Sequence, residues 1–216
     1  MISFSFDDVT ASALNIGAKL LEQRGLRGSY YIAAGLIGQT GHMGEYATDA
    51  QVAAAARAGH DIGCHTYSHL DCGQASSASV GEDIDRNRQA LARLGVSAPS
   101  TFAYPYGDVS ASGKREAGRR FALSRALHHG IVQRGTDLNQ APAVGVEGDD
   151  GEEIALRWMQ RAHAERGWLI LFTHGLETKP NEFSASIDGF TRLIDGAIAS
   201  GFDIVTVAEG AKRLGA

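Results

Sequence analysis

The stretch Ile2-Ser3-Phe4-Ser5-Phe6-Asp7-Asp8 alternates apolar and small polar residues and then closes on two carboxylates. Side chains on a strand alternate between its faces, so Ile2, Phe4 and Phe6 form one apolar side of a β-strand that feeds a polar site at its carboxyl end. Outward from this strand, Leu14, Ala18 and Leu21 recur at helical spacing between Thr10, an N-cap residue, and Gly25, a stop signal. Residues 28–34 read as a second strand. A glycine-rich loop follows, then an alanine-rich helix from the Thr48 cap to Ala58, and a short buried strand over 61–64. The alternation continues with helices predicted over 79–94, 112–120, 152–166 and 184–200, and strands over 101–104, 122–127, 168–173 and 203–207. Seven strands separated by helices predict a parallel α/β sheet. The absence of a Pro- or Ser-rich linker, a repeat or a low-complexity tract makes residues 1–216 one expected domain.

Composition narrows the function classes. The chain has 216 residues, 44% hydrophobic and 21% charged, in the range of ordinary globular proteins. Glycine is frequent, 27 residues, which suits a fold with many tight turns. A net charge of −5 repels polyanions, so nucleic acid is not an expected partner. Cys64 and Cys72 are too few for a disulfide framework and read as free thiols. Neither a secretion signal nor a membrane span is visible, so the sequence as it stands reads as cytoplasmic, and as secreted or periplasmic if a leader has been removed. Oligomeric state is not encoded in any feature of the sequence.

The unusual side chains fall at strand ends. Asp7 and Asp8 close the first strand, His65 and His69 follow the third, Pro105 and Tyr106 the fourth, and His174 the apolar strand over 168–173. In open α/β sheets and α/β barrels the carboxyl ends form the ligand-binding face, so these four clusters should converge on one rim. His65-Thr-Tyr-Ser-His69 places two imidazoles four residues apart, on one face of an expected helical turn, where both could reach one metal ion. Eight histidines in one chain supply such a spacing by chance often enough that it needs support, and Asp8 supplies it as an oxygen donor. Two histidines and a carboxylate leave a coordination position open for water, as in catalytic zinc sites. Asp7 is then the candidate base and His174 the candidate acid, a set suited to hydrolysis of an amide or ester.

These residues resemble the polysaccharide deacetylase family, also called carbohydrate esterase family four or the NodB-homology domain. Ser5-Phe-Asp-Asp-Val9 resembles its first motif, His65-Thr-Tyr-Ser-His69 its second, Phe102-Ala-Tyr-Pro-Tyr-Gly107 its third, and Phe172-Thr-His174 its last. The likeness also takes in Ala58-Gly-His-Asp-Ile-Gly63 and runs through nearly the whole chain. It implies a distorted (β/α) barrel of about seven parallel strands with surrounding helices. It also implies Asp7 as base, Asp8, His65 and His69 as metal ligands, the Tyr106 N–H as a donor to the oxyanion, and His174 as acid. The implied activity is removal of acetyl groups from N- or O-acetylated sugars. The implied cofactor is a divalent metal, Zn2+ first, with Co2+, Ni2+ or Mn2+ accepted by the same ligands.

Departures from the family pattern bear on the site. Val9 stands where glycine is usual, although a positive φ is costly there for a branched side chain. Ala103 stands where an arginine usually holds the base, and Arg125 is a candidate replacement from the next strand. Phe172 replaces a leucine beside the acid, and the Asp-Trp element that orients the acid has no clear match, with Asp137 as a stand-in. Two rival functions share these motifs: hydrolysis of small linear or cyclic amides, and glycan binding without cleavage. Bland readings attach to the rest. The acidic run Glu147, Asp149, Asp150, Glu152 and Glu153 reads as a solvated loop and helix start, Lys114, Arg115, Arg119 and Arg120 as a helix face, and Cys64 as a packed small hydrophobe.

Overall fold

A computed structural model describes residues 1–215. In chain order the elements are β1 (Ile2–Asp7), a π-helical segment (Ala13–Ala18) continuing into α1 (Lys19–Glu22), β2 (Ser29–Ile32), β3 (Thr40–Gly41), β4 (Gly44–Glu45) and α2 (Asp49–Arg57). Then come β5 (Asp61–Cys64), α3 (Ser77–Arg93), β6 (Thr101–Ala103), α4 (Ala111–Gly118), β7 (Leu123–Arg125), β8 (Val144–Gly145) and α5 (Gly151–Glu165). The chain closes with β9 (Leu169–Thr173), β10 (Gly175–Glu177), β11 (Ser184–Ser186), α6 (Ile187–Ala199) and α7 (Val207–Arg213).

Seven parallel strands form one sheet in the order β7-β6-β5-β2-β1-β9-β8, with β1 near its centre. The sheet curls into a distorted barrel because residues 141–145 touch both of its edges. Ala141 lies in a parallel bridge with Arg125 of β7, its N–H donating to the Ser124 carbonyl at 2.9 Å, while Val144 and Gly145 pair with Leu171 and Phe172 of β9. The expected period-2 pattern of β1 is realised. Phe4 and Phe6 point outward and pack on Phe190 of α6, with Phe6 also stacked on Tyr30 at 4.9 Å between centroids. Ser3 and Ser5 turn inward: the Trp168 indole donates to Ser3 at 2.9 Å, and Ser5 donates to the Leu171 carbonyl at 2.8 Å. The interior is therefore satisfied at its N-terminal end by Trp168 under α7, and narrows toward Asp7 and Arg125 at the carboxyl end.

Thr10 is corrected as a cap, its hydroxyl donating to the His174 carbonyl at 3.0 Å instead, but five later helices carry side-chain caps. Thr48 and Gln51 form a capping box on α2, and Ser76, Ser110, Ser186 and Thr206 cap α3, α4, α6 and α7. Three further expectations are corrected. Residues 203–207 do not form a strand: β2 begins pairing with β1 only at Ser5, and Ile204 enters the edge left before it with a single bridge to Ile2, cut short where Thr206 starts α7. The seventh strand is β8 instead, two residues long and preceded by Pro142. The expected helix over 184–200 begins at Ile187, because residues 184–186 pair in parallel with β10 and close the loop 178–183.

Candidate active site

Asp7 and Asp8 are adjacent yet both line the same cavity, of about 520 Å3, at the carboxyl end of the barrel. A strand would send them to opposite faces. The conflict is resolved by the backbone, since β1 stops at Asp7 and both Asp8 (φ 54°) and Val9 (φ 63°) are left-handed. Val9 thus takes the conformation that glycine would take cheaply, at a cost of roughly 1–2 kcal/mol, while burying its side chain in the core.

The segment His65–His69 is corrected from a helical turn to a loop, with Thr66 and His69 left-handed. Asp83 of α3 clamps it by accepting from the Tyr67 and Ser68 N–H groups at 2.8 and 2.9 Å, and the Thr66 hydroxyl accepts from the Leu70 N–H. This clamp brings the two imidazoles to 4.9 Å between centroids. His65 Nδ1 lies 2.8 Å from the Ala103 carbonyl, so it carries the hydrogen and Nε2 the lone pair. That Nε2 and the Nε2 of His69 lie 3.5 and 3.2 Å from Asp8 Oδ1.

Burial lowers the His65 and His69 pKa values to about 3 and about 4, so both rings are neutral and these short distances are not ion pairs. Burial, with Asp7 and Glu147 nearby, pushes Asp8 up to about 7, and its Oδ1 is buried without a hydrogen-bond partner. Three lone-pair donors, one atom from each residue within 4.8 Å of the others, fit a divalent cation.

Arg125 is wholly buried, and its Nη2 donates to Asp7 Oδ1. The guanidinium lies between the rings of Tyr31 and Phe172, its Cζ 4.7 and 5.1 Å from their centroids. Burial acts to raise the Asp7 pKa, but the charge and hydrogen bond of Arg125, together with His65 and His174, outweigh it and hold the carboxyl below its ordinary value. Tyr106, also left-handed, lines the same cavity and sets its ring edge-on to His69 at 4.4 Å. Phe172 lines the wall next to His174.

His174 is held by Glu147, whose Oε1 lies 2.5 Å from Nδ1 and also accepts from the His174 backbone N–H at 3.2 Å. Burial acts to lower the His174 pKa, but the hydrogen bond and charge of Glu147 prevail and raise it. Glu147 is therefore no member of a solvated acidic run. Asp137 is not placed at His174; it pairs with Lys114 and caps Asn139. The signal for Glu147 was present in the sequence: Val144-Gly-Val-Glu147 repeats the pattern of β1, an apolar run closing on a carboxylate.

Cys64 faces outward into α3, where its sulfur accepts from Asn87 at 3.2 Å, and stays a packed thiol. His60 likewise serves the fold, accepting from the Gly28 N–H at 3.0 Å and meeting Glu22 at 3.1 Å.

Residues 1–121 match the family described as polysaccharide deacetylase. The chain belongs to that family. Its deacetylases, grouped as carbohydrate esterase family four, are hydrolases of acetylated carbohydrates. Solved structures share the fold. The Streptomyces lividans family 4 carbohydrate esterase, in complex with acetate, is 18% identical with a TM-score of 0.63 over 95% of this chain and 90% of that one. The Bc1960 peptidoglycan N-acetylglucosamine deacetylase is 18% identical with a TM-score of 0.67 over 96% and 86%. The Streptococcus pyogenes deacetylase PplD, also with acetate, is 20% identical with a TM-score of 0.58; the match covers 65% of this chain and 62% of that one. At these identities the likeness establishes the fold. No curated protein sequence matches the chain.

Proposed function

We propose that this chain is a metal-dependent hydrolase that removes acetyl groups from N- or O-acetylated sugars of a poly- or oligosaccharide. The observation that carries the reading is the meeting, in one cavity, of three lone-pair donors, a carboxylate paired with a buried arginine and an imidazole whose Nδ1 is engaged by Glu147. Asp8, His65 and His69 would hold the ion, which when bound supplies Lewis acidity toward the acetyl carbonyl and water. Zinc suits two imidazoles and a carboxylate, and cobalt, nickel or manganese suit the same set to different degrees.

The protein's own groups then divide the proton work. Asp7, kept ionised by Arg125, accepts the proton of the attacking water. The Tyr106 N–H donates to the oxygen on which negative charge develops. His174, with Nδ1 engaged by Glu147, gives the proton from Nε2 to the departing amine or alkoxide. Metal analysis paired with acetate release from chitin oligomers, acetylated xylan and peptidoglycan tests the reading. Acetate from at least one substrate, dependent on a bound divalent ion, is expected. Release of ammonia or acid from small amides in its place would move the reaction class, and silence of metal-loaded protein toward every substrate would reject it.

A further inference from the structure

Two loops meet above the end of β1. The β3–β4 hairpin leaves the neighbouring strand β2 and is fastened back to β1, where the Ala47 N–H donates to the Val9 carbonyl at 3.0 Å and Tyr46 bridges to Thr10. The loop 178–183 leaves β9, the strand on the other side of β1, and is closed by the β10–β11 ladder. It is held at its C-terminal end, next to β11, where the Phe183 carbonyl accepts from the His174 N–H at 3.2 Å. His42 of the hairpin and Phe183 of the loop touch edge to face, 5.1 Å between centroids, and the Phe183 ring stands perpendicular to His174 at 5.9 Å. Both rings line the cavity that holds Asp7, Asp8 and His174.

The opposite side, at the ends of β6 and β7, is open. Tyr106 there is 61% exposed, and Tyr106 and Leu127 line both this cavity and a second one of about 470 Å3, whose far wall carries His128, Asp137 and Gln140.

We propose that the His42–Phe183 contact makes the cleft blind at the β1 side, so that the acetylated unit it takes is the terminal residue of a glycan chain, with the next unit lying over Tyr106 toward the second cavity. The inference rests on the hydrolase reading above and adds the position of the acetyl group along the chain. An interior residue needs chain on both sides of the metal site, and on one side it meets the touching rings of His42 and Phe183. Such a clash is the repulsive element by which a site rejects a competitor.

The test uses metal-loaded protein and glucosamine tetramers carrying a single N-acetyl group at one end, at the other end, or on an interior unit. One terminal isomer should exceed the interior isomer in kcat/KM by about tenfold or more, the scale of one steric exclusion. In a His42→Gly/Phe183→Ala variant that ratio should fall toward one. His42→Gly alone, on an exposed hairpin, should lower it in the same direction. A general weakening of His174 by loss of the Phe183 ring would slow all isomers equally and leave the ratio unmoved, so the ratio separates the two effects. Equal rates on interior and terminal isomers, or a ratio indifferent to both variants, overturns the blind cleft while leaving the deacetylase reading standing. Absence of acetate from every isomer rejects N-acetylated glucosamine chains as the substrate instead, and the xylan and peptidoglycan assays above then decide the deacetylase reading. Calorimetric titration of the isomers into metal-loaded Asp7→Asn protein then decides the blind cleft without turnover: tighter binding of a terminal isomer upholds it, and equal binding rejects it.

Discussion

Replacing Arg125 with methionine isolates the ion pair at the centre of the barrel. Arg125 is fully buried and Asp7 2% exposed, so the variant leaves a carboxylate in a cavity whose nearest fixed cation has gone. Methionine fills much of the slot between Tyr31 and Phe172, so the loss is chiefly electrostatic. Removing one member of a buried pair costs about 3–5 kcal/mol, a large fraction of the roughly 5–15 kcal/mol that holds a domain together. Asp7→Asn in the Arg125→Met background removes the orphaned charge, so the two changes should not add, with a coupling of about 2–3 kcal/mol.

Proton linkage gives the result a sign. In the native protein Asp7 has a lowered pKa, so its contribution to stability is present above the unfolded value of about 3.9 and is lost as pH falls through the folded value. In Arg125→Met the chief group opposing burial is gone, leaving His65 and His174, so that pKa rises and acidification from neutral pH should narrow the gap between variant and wild type. Denaturant unfolding of metal-free protein across pH 4–8, by circular dichroism, reads both quantities. A cost below about 1 kcal/mol, or additive single and double variants, would refute the claim that this pair is coupled in the fold.

Three further outcomes follow from the same geometry. His174→Ala should lower kcat by about 10²–10⁴ while leaving the metal content of the purified protein unchanged, and near-normal turnover would remove His174 from the acid role. Glu147→Gln removes the charge that raises the His174 pKa, so the alkaline limb of the kcat/KM profile, where the acid loses its proton, should move to lower pH; an unmoved limb would detach Glu147 from the acid. Asp8 sits near pH 7 without a cation, so divalent-ion affinity should weaken as pH falls below about 7, with proton release per ion rising toward one when calorimetry is repeated in buffers of different ionisation enthalpy.

The parts of the fold legible in the sequence were those whose pattern is local. β1 announces itself by alternation, β9 by an unbroken apolar run, and α2 by its Thr48 cap and alanine-rich run. β8 is hidden because two residues carry no period, and Pro142 before it reads as a loop; it is a strand only because the edges of the sheet need a partner. The segment 203–207 fails for the converse reason, a strand-like pattern that makes one bridge to Ile2 and is then stopped by the Thr206 cap of α7. At the site, strand ends were enough to gather Asp7, Asp8, His65, His69, Tyr106 and His174 on one rim, and Arg125 stands against Asp7 although it lies 118 residues away. What local pattern could not show was how neighbours on that rim are turned toward one another. That depends on left-handed residues at Asp8, Val9, Thr66 and His69, and on the reach of Asp83 from a helix.

The strip at residues 141–145 has a role beyond shape. It is the clasp of the barrel, held to one edge through Ala141 and to the other through Val144 and Gly145, and it delivers Glu147 to His174 two residues later. Its ladders are short, one bridge to β7 and two residue pairs to β9, and it is an edge of the sheet, where local opening costs least. Warming should thus unlatch the carboxylate from the imidazole before the body of the protein melts, so that proton delivery fails at a temperature where circular dichroism still reports an intact fold.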